Sequence, residues 1–165
     1  MNIKVGDTLV YPPHGAVTVT DLRTRPFKDC QTKFVQFRAH HDGLMIELPL
    51  GNAETVGVRK AISKKGVKEV FAILKAKVPE DQENWSRRFK ANQEKINSGD
   101  IYKVSEVVRD LSLRALGRGS SAGEKHQLEQ AMRILCSEIA LAEKTDNDAA
   151  REMIEAVFGP VDAPA

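Results

Sequence analysis

The chain has 165 residues, 41% of them hydrophobic and 29% charged, with a formal net charge of +2. That balance excludes a disordered chain and allows one medium domain or two small ones, while aromatic residues at 5% leave any large core to Val, Ile, Leu and Ala. Cys30 and Cys136 stand alone, with no CxxC and no cluster with His14, His40, His41 or His126, which excludes a disulfide framework, predicts no metal site and fits a reducing compartment.

From Val5 to about Val58 the pattern is short and punctuated. "VGDTLVYP" places a Gly-Asp turn before Thr8–Tyr11, and "PPHG" breaks the chain at Pro12–Gly15. "AVTVTDL" has β-branched content but imperfect alternation; "KDCQ" reads as a turn; "KFVQFRA" and "LMIELPL" are strands separated by "HHDG". Four or five short strands in under 60 residues predict a small twisted barrel or sandwich.

After residue 60 the period changes to helical. "SKKGVKEVFAILKA" puts Val67, Val70, Phe71 and Leu74 on one face behind a Ser63 N-cap. "VPEDQ" interrupts, and a helix from about Glu80 to Asn97 follows, with Pro79 and nearby acids suited to its N-terminus. Asp100 caps the next helix, carrying Val104, Val107, Val108, Leu111 and Leu113 or Ala115 until "GRGSS". Ser121 and Glu124 form a capping box opening the longest helix, with Leu128, Met132, Leu135, Ile139 and Ala142 in one stripe. A last helix runs from Asp146 to Phe158 with Ala150, Met153, Ile154 and Val157 expected to face inward, before a frayed acidic tail. The expected fold class is α+β in two modules: β over residues 1–60 and an all-α bundle of about five helices over residues 61–165.

No catalytic motif is present: the chain has no GxSxG, HExxH, GxxxxGK[ST] or GxGxxG. "GRGSSAGE" joins two helices and is a capped loop, not a phosphate cradle. Asp7 with Asp21, or Glu80 with Asp81 and Glu83, read as surface charge or helix-dipole acids. The expectation is no enzyme and no cofactor. The N-terminus lacks a signal-peptide pattern, and no apolar stretch approaches the roughly 18–20 residues of a membrane span, so a cytoplasmic protein without a membrane partner is expected.

Binding is the better class. Residues 84–125 carry nine cations against five acids, a net of +4, whereas residues 138–165 carry two against seven, a net of −5. A basic middle and an acidic end suggest a polyanion-facing surface, though a solvated helical face has the same composition. Within that middle, "NWSRRFK" holds the only tryptophan, Trp85, beside Arg87, Arg88 and Lys90. On a helix Trp85, Phe89 and Ile96 lie within about 40° of one another, so Trp85 is the top of a core stripe or an exposed aromatic at the edge of a basic patch.

Taken together, "VGDTLVYPPHG", "VGVR", "NWSRRFKAN", "SGDIYKVSEVVRDL" and "SAGEK" resemble the CarD/CdnL family of bacterial transcription regulators, in order from Lys4 to about Glu143 and closest to its actinobacterial CarD branch. The resemblance implies a Tudor-like N-terminal β domain that docks on the RNA polymerase β subunit, through a face that includes Arg25 and the strand bearing Glu47. It implies a helical domain at the upstream fork of the promoter bubble. There Trp85 would wedge into the minor groove, and Arg87, Arg88, Lys90 and Lys125 would contact the backbone, stabilising the open complex. A monomer, bound to the nucleoid through RNA polymerase, is expected. Where relatives are expected to carry a basic residue, this chain has Glu47, which implies a compensating charge on the partner, weaker docking, or a side chain that only meets solvent. The residues alone leave two other readings open: a free-standing nucleic-acid-binding module, and a protein-only scaffold.

Overall fold

The computed structural model describes residues 2–78 and 84–159. The chain divides into two compact units, Met1–Ala61 and Ile62–Ala165.

The first unit is a single antiparallel sheet of four strands in sequential order: β1 (Thr8–Tyr11), β2 (Gly15–Phe27), β3 (Cys30–Ala39) and β4 (Met45–Pro49). It is a meander curled into an open half-barrel, as the expected small twisted barrel or sheet requires. β1 follows a tight turn in which Asp7 N–H reaches the Lys4 carbonyl at 3.1 Å, and Gly6 supplies the positive φ of +93°. The irregular alternation of "AVTVTDL" has a local cause. The β2–β3 register shifts between Val19 and Asp21, so Val17 and Val19 face the core before the bulge and the phase resets after it. β2 does not stop near Leu22. It continues through Pro26 to Phe27, and the turn is Lys28–Asp29, with Lys28 at φ +56°. Proline is tolerated there because β1 pairs only with residues 15–18, leaving that stretch of β2 as an edge. The inner face buries Leu9, Val17, Val19, Val35, Phe37 and Leu48 with Ile3, Ala53 and Val58.

The second unit has five helices: α1 (Lys64–Lys75), α2 (Trp85–Asn97), α3 (Ile101–Gly117), α4 (Ala122–Glu143) and α5 (Asn147–Glu155), the last extended by a 3₁₀ turn at Ala156–Phe158. Ser63, Asp100, Ser121 and Asp146 cap α1, α3, α4 and α5, each side chain accepting a backbone N–H of the first turn. α2 departs from expectation. It begins at Trp85 because Asn84 is extended, at ψ 159°, and its side chain accepts the Arg87 N–H at 2.9 Å. Pro79, Glu80, Asp81 and Glu83, expected at that N-terminus, lie outside the described residues, as does the tail beyond Gly159. Val70, Leu74, Ile96, Val104, Val107, Val108, Leu111, Leu135, Ile139 and Ile154 form one core. The α3 stripe ends at Leu111: Leu113 and Ala115 are both exposed. No described helix is long and apolar enough to cross a membrane.

Candidate nucleic-acid interface

Trp85 occupies the first position of α2 and is 45% exposed. The stripe it heads grades outward along the helix: Ile96 and Asn92 are buried, Phe89 is half-buried and Trp85 overhangs. Its indole is nevertheless held. It stacks on Phe89 one turn below, with ring centroids 4.8 Å apart and planes 20° from parallel. Its Nε1–H donates to Ser121 Oγ at 3.1 Å.

That hydroxyl is the N-cap of α4, and its bonding capacity is filled. It accepts from Trp85 Nε1 and from the Glu124 N–H at 3.2 Å, and it donates to Glu124 Oε1 at 3.3 Å. One serine therefore starts a helix and orients the tryptophan. The capping box differs from the usual reciprocal form: the Glu124 carboxylate meets the Ser121 hydroxyl and two guanidinium groups. Arg88 Nη2 lies 3.5 Å from Oε1 and Arg114 Nε 3.1 Å from Oε2. Glu124 is 3% exposed and the Arg88 side chain 11%, so charges from α2 and α3 converge on a buried carboxylate of α4. Gln127, also buried, ties the same helices by donating Nε2–H to the Phe89 carbonyl at 2.8 Å. Gly123 permits the close approach, since a Cβ there would stand 3.0 Å from the Phe89 ring and 3.6 Å from the Trp85 ring.

Arg87, Lys90 and Lys125 are exposed, Arg87 and Lys90 on the outer side of α2 and Lys125 in the first turn of α4. Among the described residues no acid pairs with them. Arg88 is the exception in the expected set, because it is turned inward onto Glu124. Spacing along α2 exposes neither that inward turn nor the roles of Ser121, Gly123 and Arg114, which lie 29 to 38 residues beyond Trp85. The only local signal was the Ser121–Glu124 capping pattern.

In the first unit, Arg25 and Glu47 are brought together although they lie on non-adjacent strands. Arg25 Nη2 is 2.8 Å from Glu47 Oε1, and its guanidinium lies 4.0 Å above the Phe34 ring centroid. Phe34 points away from the core face and is covered by Arg25 and by Phe27, whose ring meets it edge-on at 5.5 Å. Glu47 is therefore neutralised within the chain.

Residues 69–155 match the family described as CarD, C-terminal domain. A Bacillus subtilis (strain 168) protein, the candidate transcription factor YdeB, is 26% identical over 136 residues, covering 82% of this chain and 89% of that one. The solution NMR structure of the 72-residue N-terminal domain of Myxococcus xanthus CarD is 33% identical over 35% of this chain and 77% of that one, with a TM-score of 0.31.

Proposed function

The chain belongs to the CarD family, and from that premise we propose that it is a transcription regulator that binds the RNA polymerase β subunit and the upstream fork of the promoter bubble, stabilising the open complex. The observation that carries this reading is the placement of Trp85. A lone tryptophan is ordinarily well buried. Here it is 45% exposed yet fixed in orientation by Ser121 and Phe89. A rigid, half-exposed aromatic is suited to wedge into a minor groove where base steps are already opening.

The wedge acts by preference. Unstacking a step costs a few kcal/mol, so the indole binds melted DNA better than closed duplex, and only such a difference shifts an equilibrium. Arg87, Lys90 and Lys125 would meet phosphates around it and set register. Arg88 serves the same surface from beneath, by holding Glu124 and thereby the Ser121–Trp85 contact. In the first unit the face around Arg25, Phe34 and Glu47 would meet the polymerase. Its internal ion pair removes the need for a compensating charge on the partner.

Trp85→Ala tests the reading. A fully buried aromatic truncated to alanine costs about 3–5 kcal/mol. An indole this exposed should cost about 1–2 kcal/mol, mostly the stack and one hydrogen bond. The variant should retain polymerase binding and shorten open-complex lifetime after competitor challenge. An unchanged lifetime overturns the wedge. Equal binding of fork DNA with and without polymerase, with no pull-down of polymerase from lysate, would assign a free-standing nucleic-acid-binding module.

A further inference from the structure

A second concentration of cations lies outside the surface built by α2 and α4. Helix α1 carries Lys64, Lys65, Lys68 and Lys75 against one acid, Glu69. All four lysines are exposed, and among the described residues no acid pairs with them. At about 100° per residue the four fall within about 100° of arc, with only Ala72 between them. The opposite face buries Val67, Val70 and Leu74 in the helical core. The result is a lysine ridge about 16 Å long, at 1.5 Å rise per residue.

This arrangement costs the helix stability. Lys64 and Lys65 stand in the first turn, which contains no acid, where the positive end of the helix disfavours cations by a few tenths of a kcal/mol each. Lys64 and Lys68 are an i,i+4 pair of like charge, destabilising by a similar amount. A face selected only for solvation mixes signs and gains from such pairs. Lys75, in the last turn, is favoured by the helix dipole, but among the described residues no acid offsets the repulsion at Lys64, Lys65 and Lys68, which points to an anion outside the helix.

The character of the ridge narrows the choice. Cores of protein interfaces favour Trp, Tyr and Arg and are depleted of Lys, whereas this arc holds four lysines, no aromatic residue and no arginine. A membrane-surface helix inserts its apolar side into lipid, but that side of α1 is already packed in the core. Each strand of duplex DNA carries one phosphate for about every 3.4 Å of helix axis, a continuous row of anions dense enough for all four lysines of the ridge to meet phosphates at once. We propose that the α1 ridge is a second DNA contact, binding the phosphate backbone of intact duplex without reading sequence. That the polyanion is DNA rests on the function proposed above; that the ridge meets a polyanion rests on α1 alone.

The test uses the full-length chain and a fully paired duplex, with affinity measured over a KCl series. Replacing the four lysines with glutamine (K64Q/K65Q/K68Q/K75Q) should lower the magnitude of the log–log salt slope by about 3 to 4, at roughly 0.9 per lost contact. The matching four Lys→Arg replacements, which keep the charges, should keep the slope. The glutamine variant should melt no lower than wild type, because it relieves repulsion; a lower melting temperature overturns the argument from cost. If the wild type shows no salt-dependent DNA binding, the DNA reading fails as a whole. If the wild type binds and the glutamine variant keeps its full slope, the ridge assignment alone fails. Loss of polyglutamate binding with the DNA slope intact would give the ridge to an acidic protein surface and equally overturn the proposal.

Discussion

Glu124→Gln removes one charge and almost no volume, and the structure assigns it a large effect. The carboxylate is 3% exposed and has Arg114 at 3.1 Å and Arg88 at 3.5 Å. The Arg88 and Arg114 side chains are themselves only 11% and 26% exposed, so neither can readily turn to water once its counter-charge is gone. Breaking a buried ion pair from one side typically costs 3–5 kcal/mol, because the remaining charge is left uncompensated. The amide oxygen of glutamine still accepts one hydrogen bond, which places the expectation near the lower end, about 3 kcal/mol. For a unit of this size each kcal/mol lowers the melting temperature by about 4–8 °C, so a fall of at least about 12 °C is expected. The chain's single tryptophan provides a second readout at the site. Ser121 donates to the lost carboxylate and accepts from Trp85, so the indole emission should move to longer wavelength as its holder loosens. Adding Arg114→Met to Glu124→Gln should recover part of the loss by removing one stranded charge. A fall below about 4 °C with unchanged emission would refute the reasoning, showing that both arginines find solvent and that the network does not hold the tryptophan.

Gly123→Ala should also disturb the site, through shape alone. Its new Cβ would lie 3.0 Å from Phe89, an overpacking that costs about 1–3 kcal/mol against the roughly 1 kcal/mol alanine gains in a helix; unchanged emission and open-complex lifetime would show that the close approach is dispensable. In the first unit, Arg25→Glu places two carboxylates together and uncovers Phe34, and it should abolish binding to the polymerase β subunit while costing about 1 kcal/mol or less. Adding Glu47→Arg should restore stability but not binding, and full binding by Arg25→Glu would show that this face is not the docking face. Burial pushes the Cys136 thiol up to about 11, whereas Cys30 is exposed. Alkylation near pH 8 followed by peptide mass mapping should therefore label Cys30 in the native protein and Cys136 only after unfolding.

Much of the architecture was legible in the residues because it is set by local rules. The change from short punctuated runs to helical spacing near Ala61, and the caps at Ser63, Asp100 and Ser121, depend on neighbours within a few positions. Local rules erred where a local exception intervened: the bulge after Val19 hid the length of β2, and Asn84 started α2 five residues later than Glu80.

The site is a different matter. Periodicity put Trp85, Phe89, Asn92 and Ile96 on one stripe but could not decide how far along it the core extends. That limit is set by where α4 begins beneath α2, and it leaves Ile96 buried and Trp85 exposed. Likewise Arg87, Arg88 and Lys90 are near-equivalent cations in sequence. Only the arrival of Glu124 and Arg114 from other helices turns Arg88 inward and leaves Arg87 and Lys90 to solvent. Arg25 and Glu47 lie 22 residues apart and meet only because β3 spaces their strands across Phe34. Residue types and spacing determined which groups were available and which elements would carry them. Which of those groups face water, and which neutralise one another, is a property of packing between distant segments, and only the tertiary structure decided it.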